Sequence, residues 1–325
     1  MATIRQFVLG FVAVMAVVSW GNASAQTEPY PDRPITLVLP AAAGTGVDII
    51  GRMGALKLAE VLGRPVVVQN VVGASGVIGV QRVTRSKADG YTLLFTFNQA
   101  VTMNPHIVAN LPYDPDKELE PVSRFAESPF VWMVNSQVPV RTFPELLSYA
   151  KANPAKLAMG VTGFASAAYL GSQLLANQTG VEVLPVNYAS NFSADLMSNV
   201  VQLSMSPAAQ VAGMVATGKV RALAQTGVKR APGMPDLPTV NETVPGFVID
   251  AWYGVWVPKG TPTAIVSTLS VAWRKVAAMP EIRERLAAIS AAAVGSSADE
   301  LDQLTRQESK MWSDLVKVRK ISPAQ

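Results

Sequence analysis

The chain has 325 residues, a formal net charge of +4, one histidine and no cysteine. The lack of cysteine excludes disulfides, thiol nucleophiles and thiolate metal sites. Any Ser-His-Asp triad or two-histidine zinc site would have to use His106, whose Asn-Pro-His setting predicts a turn and a structural or surface role. Lys and Arg are interleaved with Asp and Glu without a basic stripe, so nucleic acid is not expected as a partner.

The N-terminus has the pattern of a secretory signal peptide. Arg5 precedes an apolar run from Phe7 to Trp20, which ends at the small residues Ala23-Ser24-Ala25. We expect residues 1–25 to be removed by cleavage after Ala25 and the remaining chain to be periplasmic. No later segment has the uninterrupted apolar length of a membrane-spanning helix. The remaining length exceeds one typical domain, so two domains are expected.

Beyond this segment, apolar runs alternate with helical patterns, which is typical of parallel α/β sheets covered on both faces. Predicted strands are Ile35–Leu39, Val66–Val68, Thr92–Phe95, Val131–Val134, Leu157–Met159, Val181–Leu184, Val220–Ala224 and Val255–Val257. Predicted helices are Val47–Leu62, Phe143–Ala152, Ala167–Gln178 and Ala208–Thr217, followed after Pro262 by Thr263–Ala278, Pro280–Ile289 and Ala298–Val318 without further strands.

Two junctions share one construction, in which a strand leads through a glycine loop into a helix. The first loop spans residues 41–46 and its helix opens at Val47-Asp48; the second spans residues 160–166. Glycine allows a ligand to approach the backbone closely, and helix starts present unpaired N–H groups, so each junction is a candidate site for an anionic group. The alternative is that both are tight turns that simply feed helices.

Catalytic motifs are missing from the sequence. It contains no Gly-x-Ser-x-Gly, Walker loop or His-Glu-x-x-His. The carboxylates that could form a hydrolytic pair lie in a turn, Asp114 and Asp116, or on helix surfaces, Glu281 and Glu284. A solvated face explains them more simply, so the chain is expected not to be an enzyme.

Segments along the whole exported chain resemble the Bug family, the extracytoplasmic solute receptors of tripartite tricarboxylate transporters. The first half carries Tyr30 to Pro40 (YPDRPITLVLP), Gly44 to Asp48, Gly63 to Asn70 (GRPVVVQN), Gly73 to Gly76, Ala88 to Leu94 (ADGYTLL) and Leu111 to Pro115. The second half carries Gly218 to Ala224 (GKVRALA), Lys229-Arg230, Pro235 to Val240 and Pro258 to Pro262 (PKGTP).

The resemblance implies an α/β, type II-like periplasmic-binding-protein fold with two lobes and a ligand cleft between them. Each lobe is expected to be a mostly parallel sheet flanked by helices, with lobe 1 formed by residues 26–129 and 251–325 and lobe 2 by residues 130–250. Family receptors hold a ligand carboxylate between two loops, which map onto Ala42–Asp48 and Thr162–Ser166. The candidate ligand-binding residues are Ala42, Ala43, Gly44, Thr45, Gly46, Asp48, Asn98, Gln99, Thr162, Gly163, Phe164, Ala165, Ser166, Ser190, Asn191, Phe192 and Ser206.

Departures from the family pattern bear on the ligand. Ala41 stands where the family usually has Phe, Gln202 stands where it has Asp, and the second loop has Phe164 instead of a run of serines followed by His. These changes argue against the common di- and tricarboxylate ligands. A pocket for an aromatic or apolar acid is an alternative, with four candidate aromatic walls: Phe97, Phe164, Phe192 and Trp252. Asp48 is expected to shape its loop, although it could also receive the amine of an amino acid.

The sequence therefore predicts a non-enzymatic receptor, monomeric in its working form, that closes on a small carboxylate and delivers it to membrane permease subunits. No metal and no organic cofactor are expected. Two other functions remain open: a ligand sensor for a membrane kinase, and an exported hydrolase on a similar scaffold.

Overall fold

The computed structural model describes residues 30–73, 76–154, 156–164, 166–188 and 191–323, with the Ala209 side chain excepted. The predicted signal peptide lies outside the described residues. The strands are β1 (Ile35–Leu39), β2 (Val66–Asn70), β3 (Thr92–Phe97), β4 (Leu119–Asn135), β5 (Ala158–Val161), β6 (Leu184–Asn187), β7 (Leu203–Pro207), β8 (Val220–Gln225), β9 (Asp250–Pro258) and β10 (Ala292–Ala293).

The α-helices are α1 (Gly46–Leu62), α2 (Val77–Thr84), α3 (Asn104–Ile107), α4 (Pro115–Glu118), α5 (Phe143–Ala152), α6 (Ala167–Thr179), α7 (Ser193–Met197), α8 (Ala208–Ala216), α9 (Thr263–Ala278), α10 (Pro280–Ala288) and α11 (Ala298–Val318). A π-helical turn, Gln99–Met103, precedes α3, and a 3₁₀ turn, Val240–Glu242, precedes β9. Among the described residues, no helix has the length and apolar content needed to cross a membrane.

Strand β4 connects two groups of strands. Its first part, Leu119–Pro129, pairs antiparallel with β9, and its second part, Phe130–Asn135, pairs antiparallel with β7 and β8. Strand β9 also pairs antiparallel with β3, and β10 pairs antiparallel with the first part of β4. The remaining pairs are parallel, with β1 between β2 and β3 in the first group and β5 between β6 and β7 in the second. The chain crosses from the first group to the second along β4 and returns to the first group at the start of β9.

Helices cover the sheet through buried aromatic and aliphatic side chains. Trp273 of α9 packs edge-on against Phe125 of β4, with ring centroids 5.0 Å apart, and its ring lies against α1 where Gly54 leaves room. In the second group, the ring of Trp132 of β4 packs against the ring of Phe143 of α5, with centroids 5.9 Å apart. Burial of such rings is the main source of stability in a chain without disulfides.

Three expectations about local structure are wrong. The strand predicted at Val181–Leu184 is β6, Leu184–Asn187, because the register pairs Leu184 with Ala158 and leaves Val181 buried but unpaired. A two-residue strand, β10, follows Pro262, where only helices were expected. His106 lies in helix α3 instead of a turn, with its Nε2 2.8 Å from Oγ of Ser309 on α11.

Candidate functional site

The loop between β1 and α1 is exposed from Ala42 to Thr45 and has the form of a helix cap. Gly44 has a φ of +81°, which an L side chain rarely adopts. Thr45 is the N-cap: its Oγ1 accepts from the backbone N–H of Asp48 and donates to the carbonyl of Ala42 at 2.8 Å. Within the described residues, the N–H groups of Gly46 and Val47 have no partner. The loop thus presents two free donors at the positive end of a helix.

Asp48 holds this loop in shape. Its Oδ2 accepts from the backbone N–H of Gly44 at 2.9 Å, while its Oδ1 accepts from Nε of Arg52 at 2.8 Å and from Nδ2 of Asn70 at 2.9 Å. Burial acts to raise the pKa of Asp48, but the hydrogen bonds from Gly44, Asn70 and Arg52 outweigh it, so its pKa is lowered. Because its oxygens already accept three hydrogen bonds from the protein, Asp48 orders the loop as the sequence suggests.

The loop between β5 and α6 repeats the arrangement. Gly163 has a φ of +94°, and its N–H donates to Oδ1 of Asn187 at 2.8 Å. Ser166 caps α6 by accepting from the N–H of Tyr169, and its hydroxyl donates to the carbonyl of Gly163 at 2.7 Å. The N–H groups of Ala167 and Ala168 likewise have no partner among the described residues. Each junction therefore ends at a helix start able to bind an anion.

Phe164 is the most accessible aromatic ring among the predicted site residues. It is 43% exposed on the second loop, beside the exposed Thr162, and its ring packs edge-on against Tyr169 with centroids 5.2 Å apart. Ala165, also predicted, lies outside the described residues. An exposed aromatic ring beside free N–H donors can form an apolar wall next to a bound carboxylate.

Other predicted residues of the second group lie in less open positions. Phe192 is buried in a core cluster with Val131 and Met133, and its ring fills the space next to Gly160, so it is a core residue in this structure and not an open pocket wall. Ser206 is buried on β7. Asn191 is exposed, but its Oδ1 accepts from the N–H of Ser193 at 2.8 Å. Ser190 lies outside the described residues.

Near the first loop, Asn98 and Gln99 follow β3 and are partly used by the protein itself. Nδ2 of Asn98 donates to the carbonyl of Asp250 at 2.9 Å and to Glu308 at 2.6 Å, and its Oδ1 is buried without a partner. Nε2 of Gln99 is 3.5 Å from Oδ1 of Asn104. Phe97, at the end of β3, is half-buried and pairs with Tyr253 of β9.

Glu308 of α11 is a half-buried acid that accepts a hydrogen bond from Asn98. Its carboxylate also accepts from the indole N–H groups of Trp252 and Trp312 and from the hydroxyl of Thr102. Burial raises the pKa of Glu308, and these hydrogen bonds act in the opposite direction. Trp252 is thus 2% exposed and bound to Glu308, a core position on β9.

Sequence reasoning missed Tyr253 as a site residue. A Cβ atom at Gly46 would lie 2.9 Å from Oη of Tyr253, so this hydroxyl lies against the start of α1. Burial raises the pKa of Tyr253 to about 12, which keeps the hydroxyl protonated as a donor at neutral pH. The sequence placed Tyr253 only at a chain crossing, because its approach to Gly46 is a contact between residues far apart in the chain.

The residues of the β1–α1 loop, with Asn98, Gln99 and Tyr253, lie near the carboxyl ends of β1 and β3 and the start of β9. The residues of the β5–α6 loop and Ser206 lie near the carboxyl ends of β5 and β7. Both sets offer neutral donors, and within the described residues there is no cluster of His, Asp and Glu able to hold a metal ion. The arrangement suits recognition of an anionic group by hydrogen bonds.

Comparisons with known proteins agree with this geometry. Residues 50–321 match the family described as tripartite tricarboxylate transporter family receptor. The chain is 30% identical to Protein BugT of Bordetella pertussis over 95% of its own length and 96% of that protein. A Rhodopseudomonas palustris protein, Rpa4515 with adipate, matches with a TM-score of 0.79 and 31% identity, covering 91% of this chain and all of that one.

A second solved structure is MatC of Rhodopseudomonas palustris with bound malate. It matches with a TM-score of 0.74 and 29% identity, covering 88% of this chain and 100% of the other. These similarities show that the mixed α/β structure has the two-lobed fold of periplasmic binding proteins. The chain belongs to the tripartite tricarboxylate transporter receptor family, whose members are periplasmic solute-binding receptors.

Proposed function

We propose that this receptor binds a small organic carboxylate between the β1–α1 and β5–α6 loops and delivers it to the membrane permease subunits of a tripartite tricarboxylate transporter. The observation that carries the proposal is the pair of glycine loops, each ending at a capped helix start with two free N–H groups. Adipate and malate accompany two related structures, and both are carboxylates.

The energetics are adequate for a transport receptor. Hydrogen bonds to a charged group contribute roughly 1.5–3 kcal/mol each, and micromolar binding requires about 8 kcal/mol. Three or four N–H donors from the two loops, with apolar contacts, reach that range. Asp48 should not repel a bound carboxylate as an unpaired acid would, because Arg52 forms an ion pair with it, with Nε 2.8 Å from Oδ1.

We further propose that the ligand has an apolar or aromatic body. Phe164 supports this, because its ring is exposed on the loop where the family usually supplies hydroxyl groups. Tyr253 would add one phenolic donor from the first group of strands. Phe192 does not support it, because its ring is buried in the core.

Closure requires a boundary between lobes, and the pairing of β4 supports the boundaries predicted at residues 129/130 and 250/251. Pro129 is the last β4 residue paired with β9, where it faces Asp250, and Phe130 is the first paired with β7. The hinge in this proposal is formed by these two strand crossings. A carboxylate that contacts both loops then shifts the population toward the closed form.

The test is a binding screen on the exported, processed chain, refolded to remove any ligand carried through purification. Aromatic acids, aliphatic di- and tricarboxylates and amino acids are compared by thermal shift, followed by calorimetry. A ligand raises the melting temperature by mass action. We expect one acid to bind at micromolar affinity with unit stoichiometry and to be recovered unchanged. If no acid binds, or a bound compound is turned over, the proposal is wrong.

The variant Phe164→Ala tests the apolar wall, with Leu184→Ala as its control because Leu184 is also a large exposed side chain, at 52%. We expect Phe164→Ala to weaken the best acid about tenfold and Leu184→Ala to leave its affinity unchanged. Equal affinities in both variants would contradict the wall. Delivery is tested separately, since deletion of this receptor should abolish cellular uptake of the same acid.

A further inference from the structure

A cavity of about 710 Å³ lies beside the strand crossings, away from both glycine loops. Its walls come from the segment 227–232 after β8, from β10 and from α11. Residues 41–48 and 160–166 are not among the residues that line it, so neither glycine loop forms part of this cavity. Its volume is that of a small-molecule site.

One carboxyl group in the cavity wall lacks hydrogen-bond donors. Oδ1 of Asp250 is buried without a partner in the described part of the chain. A Cβ atom at Gly227 would lie 3.5 and 3.7 Å from the two carboxyl oxygens, so the carboxyl group faces the 227–232 wall, which lacks a side chain there. A buried carboxyl group without donors is costly, and a ligand that supplies them removes that cost.

The other charged groups of the wall are already paired or reach solvent. Nη1 of Arg124 is 3.0 Å from Glu127. Arg230 donates to both carboxylate oxygens of Glu242 at 2.9 and 2.7 Å, and Lys229 is exposed. Glu308 already accepts from Asn98, Thr102, Trp252 and Trp312, as described above. Among the described residues, Asp250 is the acid in this wall with a buried carboxyl oxygen that accepts no hydrogen bond.

Aromatic and aliphatic side chains form much of the remaining wall. Leu304 and Met311 of α11 line it with half-buried side chains, and Trp252 of β9 and Trp312 of α11 also border it but are almost fully buried. An unpaired carboxyl oxygen next to accessible apolar side chains is the chemistry that recognises an amine on an apolar body.

We propose that this cavity is a second binding site, for a small organic cation whose protonated amine contacts Asp250 and whose apolar body contacts Leu304 and Met311. It is separate from the carboxylate site and does not depend on the identity of that ligand. The ammonium group supplies the donors that Asp250 lacks, and its charge favours the ionised carboxylate.

The proposal implies a pH dependence with a definite sign. Burial, together with the charges of Glu127 and Glu308, raises the pKa of Asp250 to about 7, while Arg124 acts to lower it. An ammonium ligand binds the ionised form, so affinity should increase from pH 6 to pH 8 and binding at pH 7 should release a proton. The hydrogen bonds to Glu242 raise the pKa of Arg230, so Arg230 stays charged over this range and does not contribute to the change.

The experiment uses the full exported chain and 2-phenylethylamine, with 2-phenylethanol as the uncharged analogue of similar shape. Binding is followed by calorimetry and by tryptophan fluorescence. We expect the amine to bind at least tenfold more tightly than the alcohol. Asp250→Asn should weaken the amine at least tenfold, and the control Asp299→Asn, an exposed acid in the first turn of α11, should leave it within twofold.

A second pair of variants tests the site without touching the buried carboxyl group. Val228 lines the cavity and is 61% exposed, so charged substitutions there should not disturb folding. Val228→Glu should tighten amine binding a few-fold and Val228→Arg should weaken it a few-fold, with both effects reduced by salt. The proposal is overturned if the amine does not bind at about 10 mM, if the alcohol binds equally well, or if neither Asp250→Asn nor the Val228 pair changes its affinity.

Discussion

Replacement of Asp48 by asparagine should loosen the β1–α1 loop while preserving side-chain shape. An amide has one acceptor oxygen, whereas the carboxylate accepts from Gly44 on one oxygen and from Arg52 and Asn70 on the other. In either amide orientation, an NH₂ group faces a donor. Since each charge-assisted hydrogen bond contributes about 1.5–3 kcal/mol, and Arg52 is half-exposed and contributes less, we expect a loss of about 2–4 kcal/mol.

The pH profile separates this mechanism from a general packing defect. The folded-state pKa of Asp48 is lowered, so its contribution is present above the unfolded pKa and is lost as pH falls through the folded value. Urea unfolding at pH 7 should therefore show the full difference between the native chain and Asp48→Asn, and the difference should narrow below about pH 4.

The matched control is Asp299→Asn, an exposed acid in the first turn of α11, which should change stability by no more than about 0.5 kcal/mol. Carboxylate affinity should fall together with the stability of Asp48→Asn, because the free N–H groups of α1 lose their fixed position. A stability difference under about 0.5 kcal/mol at pH 7, or one that is unchanged at pH 3, would refute the reasoning.

Three further substitutions test the surroundings of the site. Gly46→Ala places a methyl group 2.9 Å from Oη of Tyr253 and should cost about 1–3 kcal/mol in thermal unfolding, with Tyr253→Phe in the same chain recovering most of it. Glu308→Gln leaves one acceptor oxygen for donors from four side chains and should cost about 2–4 kcal/mol with a shift in tryptophan emission, whereas an unchanged melting temperature would contradict the network. The folded-state pKa of Asp250 is raised to about 7. As pH rises from 4 to 8, the free energy of unfolding of the native chain should therefore fall by up to about 4 kcal/mol relative to that of Asp250→Asn. A difference between the two chains that does not change with pH would contradict this pKa.

Local signals placed most of the elements correctly. Helix ends were well predicted where glycine adopts the left-handed conformation, as Gly63 and Gly180 do after α1 and α6. The two glycine loops likewise predicted helix starts near residues 47 and 167, where α1 and α6 begin, while the caps that the structure shows, Thr45 and Ser166, act within three residues of themselves. Interactions between residues so close in the chain can be predicted from the sequence without knowledge of the fold.

Pairing between distant segments could not be read in the same way. Strand β4 spans 17 residues, but only Val131–Val134 was predicted, because Pro121, Ser123 and Arg124 interrupt the apolar pattern. The structure accommodates them with register shifts against β9 between residues 121 and 123 and between residues 124 and 126. The apolar run at Val181 likewise reflects a buried side chain, although Val181 is not part of a paired strand.

The site depends even more on contacts across the chain. Asn98 was proposed as a ligand contact, but its amide donates to Glu308, 210 residues away. Phe192 carried the same expectation and is buried next to Gly160. Side-chain type selected residues that lie near strand ends, while the hydrogen-bond partners and burial of each side chain were set by distant residues that sequence patterns do not reveal.

Three buried or partly buried acids show why residue type alone does not determine a role. Asp48 accepts from three donors and has a lowered pKa, which makes it a fixed part of a loop. Glu308 accepts from four donors, yet burial still raises its pKa. Asp250 lacks donors, and its pKa rises to about 7. The number of donors that the protein supplies therefore distinguishes an acid that shapes the protein from one that could accept from a ligand, and our proposal of a second site assigns the latter role to Asp250.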